Sequence, residues 1–219
     1  MKRIFIILSI LTVVAASCIK DRVSPASNVV IDPGTRVLLH YWNFNSSTNL
    51  LSVNFTADTA ITDTPKIVIP PSTAVPDAYD QYTPGTVFNA KLTDTGVIGG
   101  ALRVRNPSTY MILNIPTTGY KSPILTIAAM RSNSGAQTST VSYTTDGINY
   151  SSLIGAGIDL TAAADTTWIS TNVFSYDFTG LAGVDNNPKF AVKISFVGVS
   201  SATSGNDRFD NITVNAYKN

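Results

Sequence analysis

Apolar and polar residues alternate with a period of two along much of the chain. In residues 189–196 the even positions are all apolar: Phe190, Val192, Ile194 and Phe196. The same alternation occurs at residues 102–105, 138–143 and 173–178. Successive side chains of a β-strand point to opposite faces, so this pattern predicts strands with one buried face. Such strands are typical of antiparallel sheets.

Turn-forming residues separate these segments from further apolar runs. More strands are predicted at about 37–45, 51–55, 66–69, 110–115, 123–131, 148–154 and 208–217. Thr145-Asp146-Gly147 predicts a hairpin turn, because Asp and Gly tolerate positive φ. Residues 70–85 are rich in Pro, Ser, Thr, Asp and Tyr and predict a long loop.

The fold class follows from this distribution of strands and turns. Charged residues make up only 13% of the chain, which is too few for typical amphipathic helices. Two face-packed sheets bury the one-sided strands most simply. We therefore predict an all-β fold, an antiparallel two-sheet β-sandwich of jelly-roll-like topology.

The N-terminus has the pattern of a secretory signal peptide. Lys2 and Arg3 precede an apolar run, Ile4–Ala16, and the only cysteine, Cys18, follows Ser17. The run is too short to span a bilayer, which needs about 20 apolar residues. We predict that a signal peptidase removes residues 1–17 and that Cys18 becomes lipidated. Ordinary secretion, with cleavage near residue 16 or 17, is the alternative.

The residues around Cys18 resemble the bacterial lipobox, which has an aliphatic residue and two small residues before the cysteine. Ala15 departs from it, because Leu is usual there. Lys20-Asp21 resembles the short charged signal that sends lipoproteins of Bacteroidetes to the cell surface, although it also fits a solvated tether. The resemblance implies an outer-membrane location, lipid-anchored and cell-surface exposed. A di- or triacyl anchor gives stable attachment.

Composition limits the partners of the secreted part. Without residues 1–17 the chain keeps 13 basic and 14 acidic side chains, a formal charge of −1. A nearly neutral domain lacks the basic field that nucleic-acid binding requires. Residues 18–35 contain turn formers such as Pro33-Gly34 and predict a tether. Residues 36–219 are predicted to form one β-sandwich domain without a disulfide.

Catalytic residues are scarce. His40 is the only histidine and shares its parity with Trp42 and Phe44, which favours a packed core histidine over a general base. The sequence has no Gly-x-Ser-x-Gly motif for a serine nucleophile and too few ligands for zinc. All 14 acidic residues are Asp, mostly in turn contexts. We predict that the protein is not an enzyme.

Several segments occur in an order that resembles a known domain. They are Leu39-His40-Tyr41-Trp42-Asn43-Phe44-Asn45, Leu102-Arg103-Val104-Arg105-Asn106-Pro107, Pro116-Thr117-Thr118-Gly119-Tyr120, Ser142-Tyr143-Thr144-Thr145-Asp146-Gly147, Asn187-Pro188-Lys189-Phe190 and Gly205-Asn206-Asp207-Arg208-Phe209-Asp210-Asn211-Ile212. Together they resemble a jelly-roll-like domain common in secreted and surface proteins of Bacteroidetes. The resemblance covers about residues 36–217 and implies a β-sandwich distantly similar to carbohydrate-binding modules.

A structural calcium ion is one candidate ligand. Asp210 has the parity of the apolar face of the last predicted strand, and a buried carboxylate needs a partner. Carbohydrate-binding jelly rolls often hold calcium between their first and last strands, so the resemblance implies that Asn43 or Asn45 supplies an amide oxygen. Alternatively, Asp210 accepts backbone hydrogen bonds or pairs with Arg103 or Arg105.

A glycan is the other candidate ligand. Tyr79, Asp80, Gln81 and Tyr82 crowd the predicted 70–85 loop, where ring faces and polar groups suit sugar C–H groups and hydroxyls. Surface tyrosines are also common in β proteins. We predict a non-catalytic glycan-binding or adhesive accessory module. The alternative is a structural or protein–protein interaction component of a cell-surface assembly without a sugar site, marked by a flat apolar patch or an unprotected edge strand.

Overall fold

The computed structural model describes residues 34–58, 60–70, 78–91, 96, 98–106, 108–161, 167–199 and 204–219. The predicted signal peptide, Cys18 and nearly all of the predicted tether lie outside these residues. The described part contains β-strands and one 3-10 turn at Ser170–Asn172, and no α-helix. It therefore holds no helical segment of the length and apolar character needed to cross a membrane.

Twelve strands follow one another along the described chain. They are β1 (Val37–Trp42), β2 (Phe55–Thr56), β3 (Lys66–Val68), β4 (Tyr79–Tyr82), β5 (Ala101–Arg105), β6 (Tyr110–Asn114), β7 (Tyr120–Arg131), β8 (Thr138–Thr144), β9 (Ser151–Asp159), β10 (Val173–Asp177), β11 (Ala191–Val197) and β12 (Asn206–Lys218).

These strands form two sheets. The larger has the order β10-β7-β12-β1-β2, with β5 also paired to β12 and β4 paired to β5. The smaller has the order β3-β6-β11-β8-β9. Every pair is antiparallel, and the chain passes repeatedly from one sheet to the other. The predicted all-β, jelly-roll-like sandwich is confirmed.

The hydrophobic core lies between the sheets. In β11, Val192 and Ile194 are fully buried, whereas Lys193 points outward and is half-buried. Just before β11, the Phe190 ring packs edge-on against Phe178, with centroids 5.1 Å apart. Each such buried side chain contributes roughly 1.5–3 kcal/mol through loss of apolar surface from water. The period-two pattern therefore identifies both the core face and the solvent face of the strand.

Three local predictions are wrong. The strand predicted at 51–55 is reduced to β2 at Phe55–Thr56. The predicted loop at residues 70–85 contains a strand, because Tyr79–Tyr82 pairs antiparallel with Ala101–Val104 of β5. Tertiary pairing overrides the turn-rich composition of this segment. Residues 71–77 of the same segment lie outside the described chain. The strand predicted at 148–154 begins only at Ser151, since the residues before it form the turn after β8.

Candidate functional site

An open groove of about 640 Å³ runs along the outward face of the smaller sheet. Strands β3 and β6 provide its floor, and the turns before β3, after β8 and before β11 provide its walls. Its lining residues are Thr62, Asp63, Thr64, Lys66, Val68, Ile112, Asn114, Pro116, Gly147, Tyr150, Pro188, Lys189 and Phe190.

The floor is built from two cross-strand pairs. Lys66 lies opposite Asn114, and Val68 lies opposite Ile112. Opposed residues on one face of an antiparallel pair have Cβ atoms about 4.5–5.5 Å apart. The floor thus combines an apolar patch with an ammonium and an amide. Within the described chain, neither the Lys66 nor the Asn114 side chain has a hydrogen-bond or ion-pair partner.

A lysine held between two tyrosines borders this floor. Lys193 lies opposite Ile112 in the neighbouring strand. Its Nζ atom lies 4.4 Å from the ring centroid of Tyr150 and 5.7 Å from that of Tyr110. These distances are those of cation–π contacts. Burial raises the pKa of Tyr150, with smaller contributions in the same direction from Tyr110 and Asp146, so its hydroxyl stays a neutral donor at physiological pH.

Tyr150 is positioned by the turn between β8 and β9. The Oδ1 atom of Asp146 accepts hydrogen bonds from the amides of Ile148 and Asn149, both at 2.8 Å. The hydroxyl of Thr144 donates a third, also at 2.8 Å. These bonds, the Asn149 amide first, hold the pKa of Asp146 well below its usual range. The predicted turn is confirmed, and it carries Tyr150 to the groove.

Two charged side chains lie on the walls. Asp63 belongs to the segment before β3, and Lys189 belongs to the turn before β11. Both are exposed, and neither has an ion-pair partner within the described residues. A Cβ atom at Gly147, which has φ +81°, would lie 3.9 Å from the Cβ of Lys189, so this wall is closely packed.

The four predicted glycan-binding residues lie elsewhere. Tyr79, Asp80, Gln81 and Tyr82 form β4 at the edge of the larger sheet. Because strand side chains alternate, Tyr79 and Gln81 point to one face and Asp80 and Tyr82 to the other. The structure does not bring the four together on one surface. A role for them in binding stays an untested prediction.

Each of the polar members of β4 is already engaged. Asp80 forms ion pairs with Arg103 and Arg105. Gln81 donates a 2.7 Å hydrogen bond from Nε2 to the carbonyl oxygen of Phe44.

The two tyrosines of β4 also differ in their surroundings. The guanidinium carbon of Arg208 lies 3.8 Å from the ring centroid of Tyr82, so this ring is stacked. Tyr79 is exposed and borders a smaller cavity of about 290 Å³. Tyr79 therefore remains the most accessible of the four for a ligand.

The hydrogen bonds of Asp210 match the alternative to calcium. Its Oδ2 atom accepts a 2.7 Å bond from the amide of Thr86, and its Oδ1 atom accepts a 2.7 Å bond from the amide of Asn211. Asn43 uses its Oδ1 atom to accept a 3.2 Å bond from the amide of Asn45. The described residues contain no group of three or more His, Cys, Asp or Glu side chains that could hold a metal ion. Calcium binding stays an untested prediction.

The prediction of a packed core histidine is confirmed. His40 is fully buried, and its Nε2 atom is 2.8 Å from the carbonyl oxygen of Pro116. Its ring packs edge-on against Trp42, with centroids 6.2 Å apart. Burial lowers the pKa of His40 to about 4. A buried, neutral imidazole bonded to a backbone carbonyl has neither the access nor the partner of a general base.

Sequence reasoning missed the residues that line the groove. Lys66, Asn114 and Lys193 carry a usable signal, because each has the outward parity of a strand whose other face is apolar. The signal is incomplete, since the alternation does not say which strands are neighbours. Only the pairing of β3 with β6 and of β6 with β11 places the three side chains on one surface.

Comparisons with known proteins define no family for this chain. No protein-family model and no curated protein match the chain. A solved carbohydrate-binding module that recognises mannan, TmCBM27, is similar with 12% identity and a TM-score of 0.45, over 84% of this chain and 99% of that one. The K1 cleaved adhesin domain of Lys-gingipain from Porphyromonas gingivalis W83 has 13% identity and a TM-score of 0.43, over 85% and 99%. The xylan-binding module CBM15 has 8% identity and a TM-score of 0.38, over 69% and 97%. At these identities and TM-scores the likeness carries no argument about a ligand.

Proposed function

We propose that the groove on the smaller sheet binds a glycan without cleaving it. The observation that carries this proposal is the set of unengaged groups around one open groove of about 640 Å³. That volume falls within the roughly 300–1,000 Å³ of small-molecule sites. Asn114 offers an amide, Asp63 a carboxylate and Lys66 an ammonium, so the groove can both donate to and accept from sugar hydroxyls. Val68 and Ile112 offer apolar contact for sugar C–H groups.

The acidic residues of the groove support binding over hydrolysis. Glycoside hydrolysis ordinarily uses a pair of carboxyl groups on either side of the scissile bond. Among the described lining residues only Asp63 is acidic. The nearest turn carboxylate, Asp146, accepts four hydrogen bonds from its own turn. The described groove therefore has no free second carboxyl group for this reaction.

A pair of matched variants tests the proposal. The purified protein is screened on a glycan array, and a hit is titrated by calorimetry against the wild type, Tyr150→Ala and Tyr79→Ala. We expect Tyr150→Ala to weaken binding at least about fivefold, since an aromatic ring that contacts a ligand contributes on the order of 1–3 kcal/mol. Tyr79→Ala, on the other sheet, should leave the affinity unchanged. The opposite result would move the site to β4.

A protein partner at β9, an edge strand among the described strands, is the second candidate function. Strand β9 ends the smaller sheet, and Ile154 within it is 96% exposed. Gly155 has φ +74°, and the register with β8 shifts between Thr140 and Ser142. Such a bulge twists an edge and discourages strand addition, which favours the glycan proposal. If this alternative holds, Ile154→Lys abolishes the assembly with the protein partner and Tyr150→Ala leaves it intact.

We also propose that the protein is a lipoprotein anchored to the outer membrane through Cys18 and exposed at the cell surface. The support is the sequence pattern before Cys18 and the Lys20-Asp21 pair after it. Labelling of cells with radioactive palmitate tests the anchor, and protease treatment of intact cells tests exposure. Cys18→Ser should abolish both the label and membrane association. Label retained in that variant would contradict the anchor.

A further inference from the structure

Charge in the groove is unbalanced. Lys66 and Lys189 line it and Lys193 borders it, and within the described chain no carboxylate pairs with any of the three. Asp63 is the only acidic residue that the described lining contains. Asp146 in the adjoining turn adds a second negative charge, but its oxygens already accept hydrogen bonds. The balance of these five side chains is positive.

We propose that the groove selects glycans that carry an anionic group, a uronate carboxylate or a sulfate, and that Lys66 and Lys189 bind this group. This inference rests on the proposed function and names its ligand class. An unpaired lysine presents three donors and no acceptor, which suits an anionic oxygen. Hydrogen bonds between ions are shorter and stronger than those between neutral groups.

The sheet register brings the lysines over one floor. Lys66 in β3 lies opposite Asn114 in β6, and Asn114 lies opposite Ala191 at the start of β11. Adjacent strands are about 4.8 Å apart, so Lys66 and the start of β11 are about 10 Å apart across the sheet. Lys189 lies just before that start. Both lysines therefore border the part of the groove that Asn114 lines.

Lys193 and Asp63 carry opposite charges and lie at different parts of the groove. The Lys193 ammonium contacts the rings of Tyr110 and Tyr150 and adds to the positive potential of the groove. Asp63 lies on the wall before β3 and repels an anion while accepting from sugar hydroxyls.

A matched pair of ligands tests this inference. Oligosaccharides of polygalacturonate and their methyl-esterified forms differ only in whether the carboxylate carries a charge. The purified protein is titrated with both, and a sulfated oligosaccharide forms a separate arm. We expect binding of an anionic form, at least about tenfold weaker binding of the neutral ester, and weakening as salt rises from 0.1 M to 1 M, since the Debye length falls from about 10 Å to about 3 Å.

Charge-neutralising variants locate the effect. Lys66→Gln and Lys189→Gln should each weaken binding of the anionic ligand about tenfold, because each removes a charge-assisted hydrogen bond. Lys218→Gln, on an exposed lysine of β12 in the other sheet, is the matched control and should change nothing. Asp63→Asn should strengthen binding of the anionic ligand, because it removes a negative charge and keeps an acceptor oxygen.

The outcomes separate this inference from the proposed function. Equal binding of charged and neutral ligands, lost in Tyr150→Ala, would overturn the anionic selectivity and keep a glycan groove. Anionic binding that neither Lys66→Gln nor Lys189→Gln affects would also overturn it. Binding of no glycan at all would overturn both.

Discussion

The Nε2 atom of His40 donates a 2.8 Å hydrogen bond to the carbonyl oxygen of Pro116, a residue that also lines the groove. The bond joins β1 of the larger sheet to the segment that follows β6 of the smaller sheet. A carbonyl oxygen only accepts, so Nε2 carries the proton and Nδ1 is an acceptor. Among the residues that the structure describes, the buried Nδ1 atom has no hydrogen-bond partner, and a second proton there would be a buried charge.

The first prediction concerns the titration of His40. Its pKa is lowered from 6.5 to about 4, so the unfolded chain takes up a proton before the folded protein does. The contribution of His40 to the free energy of unfolding is therefore fully present above pH 6.5 and is lost as the pH falls towards 4. Because His40 is the only histidine, its imidazole signals in an NMR titration need no assignment. They should not shift between pH 8 and about pH 5, and a midpoint near 6.5 would contradict the buried bond.

The second prediction has the opposite sign and concerns Asp207. Burial raises the pKa of this carboxyl from 3.8 to about 7, against smaller lowering effects from the Ala136 amide and two arginines. Its contribution to stability is fully present below pH 3.8 and is lost as the pH rises through 7. Asp207→Asn removes this loss, so its melting temperature should exceed that of the wild type by more at pH 8 than at pH 5.

A matched control for this measurement is Asp159→Asn. Asp159 is exposed, and its pKa is lowered chiefly by hydrogen bonds from Thr161. This variant should not gain stability between pH 5 and pH 8. If Asp207→Asn raised the melting temperature equally at both pH values, Asp207 would be ionised in the folded protein at pH 5.

The sequence predicts the faces of the strands better than it predicts their neighbours. The alternation in residues 189–196 correctly separates the core-facing Val192 and Ile194 from the outward Lys193. Such alternation reflects burial along one strand, which local composition encodes. The groove depends on the pairing of β3, β6 and β11, which are far apart in the chain, and no local pattern specifies that pairing.

The four residues Tyr79–Tyr82 also show that the sequence does not predict which side chains share a surface. Their composition is typical of a surface loop with sugar-binding side chains. Pairing with β5 makes them a strand, which sends alternate side chains to opposite faces. A cluster in sequence is therefore not a cluster in space here. By contrast, the turn at residues 145–147 is set by local hydrogen bonds of Asp146 and was predictable from sequence alone.

The third prediction concerns this turn. Asp146→Ala removes the acceptor that fixes the segment leading to Tyr150, so glycan affinity should fall although Asp146 itself does not line the groove. Asp177→Ala is the matched control, because Asp177 accepts a similar 2.8 Å bond from the amide of Thr179 outside the groove. Calorimetry of both variants checks the expectation. Equal affinities for the two would show that the turn does not position Tyr150.

The fourth prediction concerns Asp210 and metal dependence. Asp210→Ala leaves the buried amides of Thr86 and Asn211 without these acceptors, which should lower the free energy of unfolding by at least about 1–3 kcal/mol in urea denaturation. Because backbone amides already satisfy this carboxylate, dialysis against a chelator should leave the melting temperature of the wild type unchanged. A marked fall of the melting temperature that added calcium reverses would support the calcium site predicted from sequence.

The central claim is that the outward face of the smaller sheet, and not β4, receives a glycan. Backbone amide NMR spectra of the protein, recorded while a glycan that binds is added, test it most directly. The account predicts that the largest shift changes occur at Lys66, Asn114 and Tyr150. Changes confined to Tyr79 and Tyr82, with none in the groove, would contradict it.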